Sequence, residues 1–292
     1  MSLLRHPTKT LFSVPLARGS KLAILGIPFD SNTSCMQGSR LAPSYIRLAS
    51  EYLEEYSILY RADIRDLDIS DWGDVDVSFG DFSETLRRTA QAIGTIGAEK
   101  YVFIGGDHTV SIMTVMALRR HIEKFVQLDA HADFYEEYKG NKYSHACTLR
   151  RIVEILGPER VIIAGIRSAS KDCIEGLEEF GVEYYTSFEL MEDEDLLARL
   201  ISKADYLAID MDVLDPAYVP RVSCPEPLGI SPQHLICSLR RLRARFLDIT
   251  ELTPESPFDR SAIVAATIIR ESSILMSSWA KRKHSDDLIE EL

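Results

Sequence analysis

Two short segments combine carboxylate and imidazole side chains at alternate positions. They are Asp129-Ala130-His131-Ala132-Asp133 and Asp210-Met211-Asp212, and each comes at the end of a short apolar run. A spacing of two keeps side chains on one face of an extended chain, so the charged groups of each segment can point the same way. Carboxylate oxygens mixed with one or two imidazoles favour manganese or a related divalent ion over a thiolate zinc site.

Two further polar segments follow apolar runs. Gly105-Gly106-Asp107-His108 comes after a run that ends at Ile104, and Glu251 lies just past a run that ends near Ile249. The two glycines let the backbone turn tightly and bring His108 inward. Carboxylates packed this closely would repel one another unless some were protonated or cations neutralised them. A purely structural salt network is the alternative, and the convergence of independent segments favours metal.

An alternation of apolar strands and amphipathic helices must position these groups. The pattern predicts strands at 22–26, 101–104, 125–128, 161–164, 182–185, 206–209 and 245–249. It predicts helices at 110–120, 145–156, 172–180, 193–201, 232–242 and 261–274, and another whose N-cap is Ser83. The acidic region 63–81 is predicted to be irregular.

Strands that alternate with helices imply right-handed crossovers and a mainly parallel sheet. We therefore predict an α/β fold of three layers, αβα, with helices on both faces of the sheet. No internal repeat or linker interrupts the pattern, so residues 1–292 are expected to form a single domain. Functional groups in such sheets gather beyond the carboxyl ends of the strands. The four polar segments are thus expected to open onto one edge of one sheet.

Composition and net charge indicate which classes of binding partner and which cellular location to expect. The 292 residues are 46% hydrophobic, which is ample for a substantial core, and the net charge of −12 argues against nucleic acid. That charge is compatible with a small cationic substrate. Five cysteines without a CxxC pair favour a reduced, cytoplasmic location, and no apolar stretch is long enough to cross a membrane. The basic clusters at 240–245 and 281–283 are expected to be solvated faces or subunit contacts.

The motifs also carry a family resemblance. GGDH at 105–108, DAHAD at 129–133 and DMDVLDP at 210–216 resemble the ureohydrolase family of arginases and agmatinases. The similarity extends to GIPFD at 26–30, GSRLAP at 38–43, YSHACTLRR at 143–151 and ELTPESPFD at 251–259. These matches run in the family's order from the first predicted strand nearly to the last helix.

The resemblance implies two manganese ions in each subunit of a homo-oligomer, a trimer or a hexamer. The first ion would be bound by His108, Asp129, Asp133 and Asp210. The second would be bound by His131, Asp129, Asp210 and Asp212, so that Asp129 and Asp210 bridge the pair.

The resemblance likewise implies the catalytic roles. Hydroxide held between the ions would attack the guanidinium carbon, and Asp133 would give a proton to the departing nitrogen. His145 would shuttle protons to and from solvent, and Glu251 would pair with the substrate guanidinium. The alternatives are a surface or capping histidine at 145 and a solvated carboxylate at 251.

The substrate's tail is the open question. Arginases resemble one another in an asparagine two residues after the DAHxD motif, where this chain has Tyr135. The segment 138–151 and Pro225-Glu226-Pro227 look agmatinase-like, which favours agmatine as the substrate and putrescine and urea as products. Arg221 departs from the agmatinase pattern and would bring positive charge to the tail if it points inward. The alternatives are another guanidine (aminopropylagmatine, guanidinobutyrate or arginine) or a metal-binding regulator without turnover. A regulator would need neither His145 nor Glu251.

Overall fold

A nine-stranded sheet forms the centre of residues 3–278, the part of the chain that the computed structural model describes. Its strands are β1 (Leu4–Arg5), β2 (Leu22–Ile27), β5 (Ile69–Val75), β6 (Lys100–Gly105), β7 (Phe125–Leu128), β8 (Val161–Ile166), β9 (Glu183–Thr186), β10 (Tyr206–Asp210) and β11 (Phe246–Thr250). A separate two-stranded sheet pairs β3 (Tyr56–Ser57) with β4 (Ala62–Asp63). The large sheet has the order β1-β5-β2-β6-β11-β10-β7-β8-β9, and only β1 runs antiparallel to its neighbour.

Helices cover both faces of the sheet. Within residues 3–278 they are α1 (Ala42–Ser50), α2 (Phe82–Ile96), α3 (Thr109–Leu118), α4 (Thr148–Leu156), α5 (Lys171–Phe180), α6 (Ser187–Glu192), α7 (Leu196–Lys203), α8 (Pro232–Leu239) and α9 (Arg260–Ser278). One buried apolar cluster joins the sheet to α1 and to α6 through α9, and a second joins it to α2 through α5.

Side chains of the strands alternate between these two clusters. In β2, Leu22 and Ile24 belong to one cluster, and Ala23 and Leu25 belong to the other. All four are at most 1% exposed, as expected for a parallel sheet that is covered on both faces. The predicted three-layer αβα fold with a mainly parallel sheet is confirmed.

Two predictions about the region before α2 are wrong. The region 63–81 contains β5, which pairs with β2; its apolar pattern is masked by Asp71, a buried carboxylate that bonds Arg47. The N-cap of α2 is Asp81 rather than Ser83. Asp81 has an extended backbone just before the first turn, so its carboxylate reaches the backbone N–H of Glu84 at 2.9 Å.

Two further predictions concern membrane-spanning segments and the basic clusters. Over residues 3–278, no helix has both the length and the apolar character needed to span a membrane. In the basic cluster at 240–245, Arg245 donates two hydrogen bonds to Asp205. The second basic cluster, 281–283, lies outside the described residues.

Candidate metal centre and active site

Four neighbouring strands in the middle of the sheet carry the polar segments that the sequence singles out. Their order is β6, β11, β10, β7, and all are parallel. His108 follows β6, Glu251 follows β11, Asp210 ends β10 and Asp129 follows β7. Because parallel strands end at the same edge, these groups meet above the centre of the sheet.

Close contact between the turns that follow β6 and β2 shapes the first of these segments. A Cβ at Gly106 would lie 2.0 Å from the backbone oxygen of Phe29, so only glycine fits there. Asp107 donates its backbone N–H to that same oxygen, and its carboxylate accepts the backbone N–H of Asn32 and of Thr109. The turn after β6 is thereby fixed, and it directs His108 to the interior.

A first group of potential ligands surrounds Nδ1 of His108. This nitrogen lies 3.0 Å from Oδ2 of Asp133 and 3.2 Å from Oδ2 of both Asp129 and Asp210. The side chains of His108 and Asp129 are fully buried. One ring N–H can satisfy at most one of these oxygens, so the convergence of three is better suited to a cation among them than to hydrogen bonding.

A second group surrounds Nδ1 of His131. Oδ2 of Asp212 lies 2.8 Å from this nitrogen, and Oδ1 of Asp129 lies 3.7 Å from it. Asp129 therefore presents one oxygen to each group. The ligand atoms of His108, Asp129 and Asp210 lie within 4.8 Å of one another, and so do those of Asp129, His131 and Asp212. Asp210 belongs to the first of these sets, and its Oδ1 accepts the backbone N–H of Asp212 at 2.9 Å.

The buried carboxylates of these two groups repel one another, and this repulsion shifts their pKa values. Burial raises the pKa of Asp129 to about 7, and the negative charges of Asp212 and Asp133 contribute to the rise. Burial and the same kind of repulsion raise the pKa of Asp210 well above its ordinary value. Burial would lower the pKa of His131, but Asp212 and other carboxylates raise it to about 11. Divalent cations would relieve this repulsion, and the oxygen and imidazole donors fit two of them.

Glu251 stands beside the first group and keeps one oxygen free. Its Oε1 accepts the backbone N–H of His108 at 2.6 Å and contacts Nδ1 of His145 at 3.0 Å. Its Oε2 is buried and has no hydrogen-bond partner among the described residues. A buried carboxylate oxygen without a donor is costly, so Oε2 is an acceptor that a ligand can satisfy.

His145 connects Glu251 to the loop that contains Ser34. Its Nε2 accepts the backbone N–H of Ser34 at 2.9 Å and lies 2.7 Å from the Ser34 hydroxyl. A backbone N–H can only donate, so in the neutral ring the proton is on Nδ1, which faces Glu251. Burial would lower the pKa of His145, but the charge of Glu251 and its hydrogen bond raise it to about 9.

The backbone is strained at two of the predicted catalytic residues. Asp133 has φ +47° and Glu251 has φ +63°, both in the left-handed region that L-residues rarely adopt. Such conformations cost on the order of 1–3 kcal/mol each and occur where surrounding structure enforces them. At Glu251, the N–H donates to the oxygen of Gly106, and the carbonyl accepts the N–H of Ser223.

A cavity of about 250 Å³ opens onto both groups. This is smaller than the roughly 300–1,000 Å³ of pockets for drug-sized ligands, so it suits a small molecule. Its lining residues are Ser34, His131, Ala132, Asp133, Tyr135, Tyr138, His145, Ala146, Ser168, Ala169, Ser170, Cys173, Asp210, Asp212, Cys224 and Glu251. They include four carboxylates and neither lysine nor arginine.

Arg221 is not among the residues that line this cavity, so the condition under which it would bring positive charge to the substrate's tail is not met. Its guanidinium donates to Oε2 of Glu255 at 2.6 Å and approaches Oδ2 of Asp259 at 3.8 Å. These carboxylates lie on the loop between β11 and α9. Tyr135, which replaces the asparagine of arginases, does line it.

Two contributors to the site were missed in the sequence. Ser34 contacts His145 across 111 positions, and Arg167 bonds backbone carbonyls around Asp212. Neither has a charged neighbour at ligand-like spacing, so no pattern marks it. The GIR triplet at 165–167, at the end of β8, is the one local hint: it places an arginine beyond a buried strand.

Comparison with known proteins finds relatives that match most of this chain. The arginase family model matches residues 20–274. Agmatinase of Bacillus cereus is 31% identical over 280 residues, which cover 92% of this chain and 95% of that protein. N(1)-aminopropylagmatine ureohydrolase of Thermococcus kodakarensis is 31% identical, with 90% and 93% covered. The crystal structure of agmatine ureohydrolase of Thermoplasma volcanium superimposes with a TM-score of 0.85 at 31% identity, covering 96% of this chain and 97% of that one.

Proposed function

Since this chain belongs to the arginase family and is an agmatinase-type ureohydrolase, we propose that it hydrolyses agmatine to putrescine and urea with two manganese ions. The family is one of binuclear metal enzymes, and the two groups of ligand atoms that share Asp129 support the same stoichiometry here. The proposed ligands are His108, Asp129, His131, Asp133, Asp210 and Asp212.

The free oxygen of Glu251 is the observation that carries this proposal. Oε2 is buried, lacks a donor and belongs to a residue that lines the cavity beside both ligand groups. A guanidinium presents N–H donors in a plane, and a carboxylate is their natural acceptor. With Glu251 holding the guanidinium, the carbon to be attacked would lie near the metal centre.

The protein's own groups would then hold and move protons. When bound, the two ions supply positive charge and a water of lowered pKa, which is the nucleophile for hydrolysis. Asp133 is proposed to give a proton to the departing amine nitrogen; its carboxylate lies at the cavity wall beside His108. His145 is proposed to exchange protons with solvent through Nε2, which faces Ser34 at the same wall.

The charge of the cavity supports a substrate whose tail is cationic. The lining has carboxylates but no lysine or arginine, so an α-carboxylate or a terminal carboxylate would find neither of these side chains to pair with. Arginine and guanidinobutyrate carry such a group, whereas agmatine ends in an ammonium. Tyr135 and Tyr138, whose rings lie 5.3 Å apart, offer aromatic faces to that ammonium.

An acidic depression beside the cavity favours aminopropylagmatine as a second candidate substrate. It shares Tyr135 and Cys173 with the cavity wall. Its lining has five carboxylates (Glu136, Glu137, Asp172, Glu175 and Glu179) against three cations (Lys142, Arg150 and Arg151). The tail of aminopropylagmatine is longer than that of agmatine and carries a further amine, which this depression could accept.

Urea release from a panel of guanidines tests the proposal. The protein, loaded with manganese, is assayed with agmatine, aminopropylagmatine, guanidinobutyrate and arginine at equal concentration. We expect the two substrates with cationic tails to have the highest kcat/KM. Release of urea from arginine at a higher kcat/KM would contradict the substrate assignment. Absence of urea from every guanidine, with two metal ions bound, would instead support the metal-binding regulator.

The remaining predictions accompany this proposal. A homo-oligomer (trimer or hexamer), a single domain over residues 1–292 and a cytoplasmic location stay predictions. Light scattering, limited proteolysis and cell fractionation, respectively, would test them.

A further inference from the structure

The second ligand group leaves one nitrogen of His131 without an assigned partner. Nδ1 faces Asp212 at 2.8 Å and belongs to the ligand group. If the lone pair of Nδ1 is directed to a metal ion, the ring proton must be on Nε2. Oε1 of Glu226 lies 3.6 Å from Nε2. The Glu226 side chain is 34% exposed, so a small rotation can close this distance to a hydrogen bond.

The loop that carries Glu226 is stiff. Prolines on both sides fix two φ angles, and the residue before a proline is itself restricted. Arg167 then joins this loop to the turn after β10 that contains Asp212. Nη2 of Arg167 donates to the carbonyl of Glu226 at 2.9 Å and to that of Asp212 at 2.6 Å, while Nε donates to that of Pro227 at 2.8 Å.

Arg167 is joined to the His131 segment as well. Its backbone N–H donates to the carbonyl of Ala130 at 2.9 Å. Space around its guanidinium is tight, since a Cβ at Gly229 would lie 2.7 Å from Nη2. Arg167 therefore connects the segments of Asp212 and Glu226 through its side chain and the segment of His131 through its backbone.

We propose that Glu226 is a positioning residue for the second metal ion. Its carboxylate accepts the Nε2–H of His131 and thereby fixes the tautomer and the ring orientation, while Arg167 holds the loop that places it. Carboxylates bonded to the distal nitrogen of a ligating histidine raise the basicity of that ligand. This inference rests on the proposed function, since it requires that His131 bind a metal ion.

Calorimetric titration of the metal-free protein with manganese tests the inference without using activity. We expect two binding steps in the wild-type protein. In Glu226→Ala, one step should weaken about 10- to 100-fold and the other should be unchanged. Glu226→Gln keeps an acceptor and should weaken the same step less. Glu194→Ala, an exposed glutamate on another loop, is the matched control and should bind like the wild type.

A double-mutant cycle tests the role of Arg167. Arg167→Lys keeps the charge but loses the planar set of donors, so it should weaken the same metal step. If Arg167 acts through Glu226, combining the two substitutions should cost less affinity than the sum of the single effects. Additive losses would overturn the coupling, and thermal unfolding of each variant checks that it is folded.

Other outcomes separate this inference from the proposed function. Unchanged metal affinities in Glu226→Ala would overturn the inference alone. A raised KM for agmatine with unchanged metal affinities would make Glu226 a substrate contact, and the inference would again be wrong. A wild-type protein that binds fewer than two ions would overturn the proposed function together with it.

Discussion

Two buried clusters of charge lie in the same sheet, and they differ in whether the protein balances them. The first joins Arg47 of α1 to Asp71 and Asp74 of β5. All five N–H groups of its guanidinium have acceptors, three on the two carboxylates and two on backbone carbonyls. The second is the candidate metal centre, where four aspartates face two imidazoles. We call the first cluster closed, because its N–H groups all have acceptors within the protein. We call the second cluster open, because its carboxylates outnumber its imidazoles and cations would relieve their repulsion.

Metal binding and activity at the open cluster should require each of its carboxylates. Asp210→Ala removes a proposed ligand that would bridge the two ions. Replacing a residue that only supports a metal ligand already costs about 10- to 100-fold, so we expect urea release to fall at least about 100-fold. Metal content, measured by mass spectrometry, should drop to one ion or none. Asp195→Ala, an exposed aspartate before α7, should retain both activity and metal. Two tightly bound ions in Asp210→Ala would refute the ligand assignment.

The closed cluster should matter to stability and not to metal. Arg47→Met leaves two carboxylates without their buried cation, and breaking such a pair costs about 3–5 kcal/mol. We expect this loss in the free energy of unfolding by urea, with metal content and KM unchanged in the folded protein. Arg65→Met, which breaks an exposed ion pair with Asp63, is the control and should change stability little. A loss of manganese from folded Arg47→Met would show that the two clusters are not independent.

Metal removal also tests whether the two clusters stabilise the protein independently. Chelation should lower the free energy of unfolding, since an ion that binds only the folded state stabilises it by about 2.7 kcal/mol at a hundredfold excess over Kd. Manganese should restore this amount equally in the wild type and in Arg47→Met, because the clusters share no residues. Thermal unfolding with and without manganese measures both gains. If manganese stabilised the wild type and Arg47→Met by different amounts, the two clusters would not be independent.

The open cluster was predictable from sequence, whereas the closed one was not. Ligands at the ends of parallel strands follow from alternate spacing after apolar runs, and this pattern alone makes His108, Asp129 and Asp210 stand out. Asp71 lies inside β5, where a charged residue argues against a buried strand until Arg47 is seen beside it. Arg167 and Glu226 act through backbone carbonyls and through a contact that spans 95 positions, and neither leaves a local pattern.

The tail end of the cavity should show a smaller effect. Tyr135→Ala removes an aromatic face from the wall, and a cation–π contact at a partly exposed site is worth about 0.5–1 kcal/mol. We therefore expect KM for agmatine to rise about two- to fivefold with little change in kcat. Tyr135→Phe keeps the ring and should resemble the wild type. If Phe and Ala raise KM equally, the hydroxyl rather than the ring contacts the substrate.

Arg221 gives the smallest expected effect, because two carboxylates outside the cavity already pair with its charge. Glu255 and Asp259 neutralise it at the surface, and it does not line the cavity. Arg221→Gly should therefore leave the order of kcat/KM values among agmatine, aminopropylagmatine and arginine unchanged, each within about twofold, as for other surface substitutions. Tyr135→Ala, assayed in parallel, shows what a change in the cavity wall does. A reordered substrate profile in Arg221→Gly would mean that a charge balanced by its neighbours still governs specificity, and the distinction between closed and open clusters would fail as a guide to function.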